Sequence, residues 1–199
     1  MFVSTCESKT FPLEDVFWKY SLVAYPDENV LEKVAEEKKL LDQISGYTNR
    51  WTRPQIQIAS FYVLERMEET LTRWIQNICN LQNSFKVCLN NFSGFPPHTI
   101  YLRVQDNQPF QRLTSALTML DGFILSNGCP PMHLESRPYL SLAGGLSQQV
   151  YEHVLPVFAQ RNFHESFMVE KLVLLKSDIE TENKVINTFT LPSSLTLSH

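Results

Sequence analysis

Arg53-Pro54-Gln55-Ile56-Gln57-Ile58-Ala59 recurs in the second half of the chain as Arg137-Pro138-Tyr139-Leu140-Ser141-Leu142-Ala143. Both copies read Arg-Pro-x-apolar-x-apolar-Ala. In an extended chain successive side chains alternate between faces, so the aliphatic pair of each copy turns to one face and the two variable residues to the other. The first copy thereby presents Gln55 and Gln57, the second Tyr139 and Ser141. Proline suits the entry of such a strand, where no ladder hydrogen bond is lost.

Outward from the first copy, Phe17 to Tyr25 is rich in aromatic and β-branched residues and stops at Pro26-Asp27, which predicts a strand and its turn. Val30, Leu31, Val34, Leu40, Leu41 and Ile44 follow at helical spacing up to Gly46, with Asp27 or Asn29 as cap. A second helix is expected around Leu71, Trp74, Ile75 and Ile78. Phe85 to Leu89 alternates as a strand. So does Thr99 to Val104, with Gly94-Phe95-Pro96-Pro97 as the connection.

Around the second copy, a helix is expected from about Gln108 to Leu125 and another from about Ser147 to Ala159. Phe167 to Leu175 and Val185 to Leu191 read as closing strands, paired as a hairpin around Ile179 to Asn183, with Ser193 to His199 as a frayed tail. Each half thus runs strand, helix, Arg-Pro strand, helix. This order predicts an α+β chain, 1–199, forming a single bilobal duplicated domain, with a first repeat over about 17–80 and a second over about 97–161. Closing strands are expected at about 84–93 and 164–191. A pseudo-two-fold would bring the Arg-Pro strands side by side, with two antiparallel sheets facing a central cleft and helices on the outside.

Composition narrows the function classes. The 199 residues are 43% hydrophobic and 12% aromatic, enough for a sizeable core. A formal charge of −4 gives no broad basic field, so long duplex nucleic acid is not an expected partner. The four cysteines, Cys6, Cys79, Cys88 and Cys129, show no metal-ligand spacing, and no apolar run reaches membrane-spanning length. The chain is therefore expected to be a cytoplasmic monomer with reduced thiols, no membrane partner, no metal and no cofactor.

On the paired strings the chain resembles the two-histidine (2H) phosphoesterase superfamily, which includes 2′-5′ RNA ligase-like proteins and cyclic nucleotide phosphodiesterases. The resemblance covers roughly Tyr20 to Leu191. In that family each lobe carries a strand with His, any residue, then Thr or Ser. The resemblance implies one imidazole as general base and the other as general acid about a 2′,3′-cyclic phosphate, with the hydroxyls on phosphate oxygens.

Residue by residue, Gln55 stands at the first His and Gln57 at its Thr, while Tyr139 stands at the second His and Ser141 at its Ser or Thr. Only Ser141 fits. A glutamine amide exchanges no proton near neutral pH, and a tyrosine with a pKa of about 10 is a poor base there. The polar groups remain able to bind, and Tyr101 and Arg103, on the strand face opposite Ile100, Leu102 and Val104, are expected to join them. Arg103 is read either as a phosphate clamp or as a solvated strand charge. His98 is expected to be structural or at the surface, because Thr99 beside it points to the opposite face. Arg53 and Arg137 either precede strand-entry prolines or guard the groove mouth.

Three readings of function follow. The first is a catalytically impaired phosphoesterase-like protein that binds a nucleotide, RNA end or other phosphorylated small molecule through Gln55, Gln57, Tyr139 and Ser141. The second is an active cyclic phosphodiesterase or RNA ligase-like enzyme with Tyr139 as proton donor. The third is a protein-interaction scaffold whose cleft is vestigial and filled by Tyr139 and its neighbours.

Overall fold

The computed structural model describes residues 16–46, 53–177 and 183–193. The leader with Cys6, the tip of the closing hairpin and the tail beyond Ser193 lie outside the described residues. Strand β1 (Phe17–Ala24) turns at Pro26 into helix α1 (Glu28–Ser45), where the Asp27 carboxylate caps the first turn by accepting from the Val30 N–H at 2.9 Å. Val30, Leu31, Val34 and Leu41 form the buried stripe of α1. Gly46, at φ +62°, closes the helix with its N–H on the Asp42 carbonyl.

The first Arg-Pro string leads into β2 (Ile56–Leu64), which a short 3₁₀ turn joins to α2 (Glu68–Asn80). Then come β3 (Phe85–Phe95), β4 (Thr99–Val104) and α3 (Gln108–Ser126). A two-residue β5 (His133–Leu134) precedes the second string, β6 (Tyr139–Ala143), and Ser147 caps α4 (Gln148–Ala159) through its hydroxyl on the Val150 N–H. Strands β7 (His164–Val169), β8 (Lys171–Ser177) and β9 (Lys184–Thr190) close the described fold.

All pairings are antiparallel, in the order β7-β3-β4-β6-β2-β1-β8-β9, with β5 on β2. The two half-sheets meet at the Arg-Pro strands, where Ile56 of β2 pairs with Leu140 of β6. They face a central cleft and carry the helices outside, as the alternation in the two strings predicts.

The halves interlock. Helix α1 leaves β1 in the first half-sheet but packs on β6, β7 and α4 of the second, held by ion pairs from Lys33 to Glu165 and from Glu37 to Arg161. Helix α3 leaves β4 in the second half-sheet but packs on β2 and α2 of the first, with Trp74 stacked on Phe123 at 5.7 Å. Strands β3 and β8 likewise cross over, β3 lying beside β4 and β8 beside β1. One contiguous core, from Tyr20 and Ile56 to Phe158 and Phe189, runs beneath both halves.

The structure corrects several sequence expectations. The segment Phe167 to Leu175 is two strands broken at Glu170, because Phe167 and Val169 pair with β3 whereas Leu172 to Lys176 belong to the other half-sheet. β3 continues through Gly94 and Phe95, which moves the turn to Pro96–His98. β5 has no period-2 signature and is held only by its partner β2.

Gly94 earns its place by close approach. A Cβ there would lie 2.4 Å from the Tyr151 hydroxyl and 2.9 Å from a ring carbon. Tyr151 is buried on α4, so Gly94→Ala must displace a packed ring. It is expected to lower unfolding free energy by about 1–3 kcal/mol in urea titration. A change within about 0.5 kcal/mol would show that Tyr151 moves aside freely.

Candidate functional site

Ile56 opposite Leu140 fixes what lies beside it. In an antiparallel pair this register places Gln57 next to Tyr139 and Gln55 next to Ser141, all on the face away from the buried Ile56, Ile58, Leu140 and Leu142. These four side chains, with Glu135, line an open pocket of about 170 Å³. Gln55, Gln57 and Tyr139 are half-buried and Ser141 is exposed.

Glu135 is the residue that sequence reasoning missed. Its N–H donates to the Ile58 carbonyl at 2.9 Å, extending the pairing of β5 with β2 and fixing the residue beside Gln57. Its carboxylate accepts from the Arg137 N–H at 3.1 Å and lies 3.8 Å from the His133 ring. Nothing in His133-Leu134-Glu135 carries a strand pattern, so only the tertiary pairing reveals it.

An aromatic cluster forms the second wall. Tyr101 lies opposite Ser141 on β4, stacks on Phe95 at 4.4 Å and tilts against Tyr139 at 5.0 Å, while Phe95 meets Tyr139 edge-on at 5.1 Å. Phe95, at the end of β3, is 47% exposed. Burial, then the Glu135 charge and Tyr101, raise the Tyr139 phenol above its ordinary 10.0. It therefore stays protonated at neutral pH, a donor that cannot serve as base.

The chain's sequence matches the 2′-5′ RNA ligase superfamily over residues 26–180. The chain belongs to this superfamily. Solved structures agree on the fold. E. coli LigT complexed with 3′-AMP is 15% identical, with a TM-score of 0.67 over 88% of this chain and 99% of that one. A phosphoesterase is 14% identical, with a TM-score of 0.64 over 88% and 99%. E. coli LigT complexed with NADP+ is 15% identical, with a TM-score of 0.63 over 88% and 98%. No curated protein sequence matches the chain.

Within this 2′-5′ RNA ligase superfamily chain, the four motif positions come together as the repeated string predicts. Tyr101 reaches the site through Tyr139 rather than through the pocket lining. Arg103 is exposed, opposite Tyr139 on β4, and its Nε donates to the Asn90 carbonyl at 3.2 Å. It lies beside the pocket, not in it. His98 is tied into a turn, its Nδ1 3.0 Å from the Leu146 carbonyl, which is the structural role expected of it. Arg53 pairs with Glu28 at 3.1 Å and covers the Tyr25 ring at 4.6 Å. Among the described residues, no group of histidine, cysteine and carboxylate side chains is arranged to hold a metal, and no helix is long and apolar enough to cross a membrane.

Proposed function

We propose that this superfamily member binds a nucleotide, an RNA end or another phosphorylated small molecule in the central cleft, through Gln55, Gln57, Tyr139 and Ser141, without efficient turnover. The observation that carries the reading is the shared pocket of the four motif positions, with no imidazole among its lining residues. General acid–base catalysis contributes about 10²–10⁴-fold per positioned group. Two amides, a phenol held protonated and a hydroxyl supply donors and acceptors instead. The complexes of LigT with 3′-AMP and NADP+ support the ligand class by likeness of fold.

An open pocket favours binding over the scaffold reading, which expects Tyr139 to fill the cleft. The setting proposed is the cytoplasm, with the chain as a single bilobal monomer. A thermal-shift and calorimetric screen against linear and cyclic nucleotides tests the reading. At ligand concentrations a hundredfold above Kd, the native state gains about 2.7 kcal/mol. Tyr139→Ala and Gln57→Ala are each expected to weaken binding about tenfold, and uniform failure to bind at millimolar ligand would sink the proposal.

A further inference from the structure

Among the described residues that line the pocket, Glu135 is the one charged side chain, set beside two amides, a phenol and a hydroxyl. The Glu135 side chain is 24% exposed, and no lysine or arginine pairs with it among the described residues. The His133 ring, 3.8 Å away, is beyond hydrogen-bond reach. Two backbone contacts, its own N–H on the Ile58 carbonyl and its carboxylate on the Arg137 N–H, hold Glu135 in place. A partly buried charge without a partner costs free energy that a bound cation would offset.

Aromatic surface adjoins this carboxylate. Tyr139 lines the same pocket and packs against Tyr101 and against the half-exposed Phe95. Beyond Tyr139 the charge changes sign. Arg103 stands opposite it on β4, one strand spacing of about 4.8 Å away. Arg103 is exposed and forms no ion pair among the described residues. Its Nε donates to the Asn90 carbonyl, which fixes the stem of the guanidinium and leaves the terminal nitrogens for a ligand. Carboxylate, aromatic ring and guanidinium thus follow one another across the cleft.

We propose that the pocket takes the quaternary ammonium of a small zwitterionic phosphate ester, whose phosphate rests on Arg103 at the rim. The inference rests on the reading of the cleft as a site for a phosphorylated small molecule and names the chemistry of that molecule. A volume of about 170 Å³ is below the about 300–1,000 Å³ that encloses a drug-sized ligand, so the pocket suits a head group. Glu135 favours a cation over a phosphate inside it. A methylated ammonium sheds less water than a primary one and lies well against aromatic faces. The forked donors of Arg103 match phosphate oxygens.

Calorimetry of the full chain with phosphocholine, with its carbon isostere 3,3-dimethylbutyl phosphate and with 3′-AMP tests this. Phosphocholine is expected to bind at least about tenfold tighter than the isostere, whose head group has the same shape without the charge. Glu135→Gln is expected to erase that preference without weakening the isostere. Arg103→Ala is expected to weaken both phosphate esters and leave choline unchanged. Sedimentation with phosphatidylcholine vesicles separates the sources: retention that phosphocholine competes away assigns the head group to a lipid, and no retention assigns it to a free ester. If phosphocholine fails to bind, if the isostere binds as tightly, or if the preference persists in Glu135→Gln, the ammonium site is overturned. Binding of 3′-AMP in that case leaves the nucleotide reading standing, and failure of every ligand removes both.

Discussion

Incubated with 2′,3′-cyclic AMP, the native protein is expected to leave the ring intact, while a triple variant Gln55→His, Gln57→Thr, Tyr139→His is expected to open it at least about a hundredfold faster. The difference rests on proton transfer. Opening the cyclic phosphate by water needs a base for the nucleophile and an acid for the leaving oxygen, and each positioned group is worth about 10²–10⁴-fold. Gln55 can be neither. Tyr139, with its phenol raised above 10.0 by burial and by Glu135, can donate but cannot abstract at neutral pH. The shared register of β2 and β6 places the two introduced imidazoles on one face, on either side of the pocket. Chromatography of the nucleotide after incubation reads the outcome. Turnover by the native chain that vanishes in Tyr139→Phe would instead favour an active enzyme with Tyr139 as acid.

Lys176→Ala is expected to have the largest effect on stability, about 2–4 kcal/mol in urea unfolding. The residue is 9% exposed, with its ammonium 4.4 Å from the Trp18 ring centre and 5.8 Å from that of Tyr20. It pairs with Glu65 and lies 3.5 Å from Glu68, whose carboxylate accepts the Tyr20 hydroxyl at 2.7 Å. Removing one partner of a buried pair costs about 3–5 kcal/mol because the other is left uncompensated. Glu65 is largely exposed, which screens its share and sets the lower range. A double variant Lys176→Met, Glu68→Gln is expected to recover much of the loss, since stem packing is kept and no carboxylate is stranded beside Tyr20. An effect of Lys176→Ala within 0.5 kcal/mol would contradict this description of the cluster.

The same cluster contributes to the alkaline limb of stability. Burial, then the hydrogen bond to Glu68 and the charges of Glu68 and Glu65, raise the Tyr20 phenol well above its ordinary 10.0. The folded chain therefore holds this proton more tightly than the unfolded one. Its contribution is fully present below pH 10 and is lost as the pH rises beyond it. Tyr20→Phe is expected to flatten that loss in unfolding curves taken between pH 9 and pH 11.

Much of this was legible in the order of residues. The duplicated Arg-Pro string names four of the five side chains that line the pocket, since proline entry and strict alternation leave little freedom over which face each residue takes. The helices followed from their apolar spacing and from caps such as Asp27 and Ser147. What stayed hidden depends on partners distant in sequence. A strand of two residues such as β5 has no period to detect, so Glu135 could not be placed in the pocket. The break at Glu170 lies between two apolar stretches close enough to read as one strand, and the exchange of strands between half-sheets explains it.

A crystal of the native protein soaked in 2′,3′-cyclic AMP tests the central claim most directly. The account predicts the cyclic nucleotide bound with its ring intact between β2 and β6, in contact with Gln57, Tyr139 and Ser141. An empty pocket at millimolar ligand, or density for the ring-opened nucleotide, would contradict it.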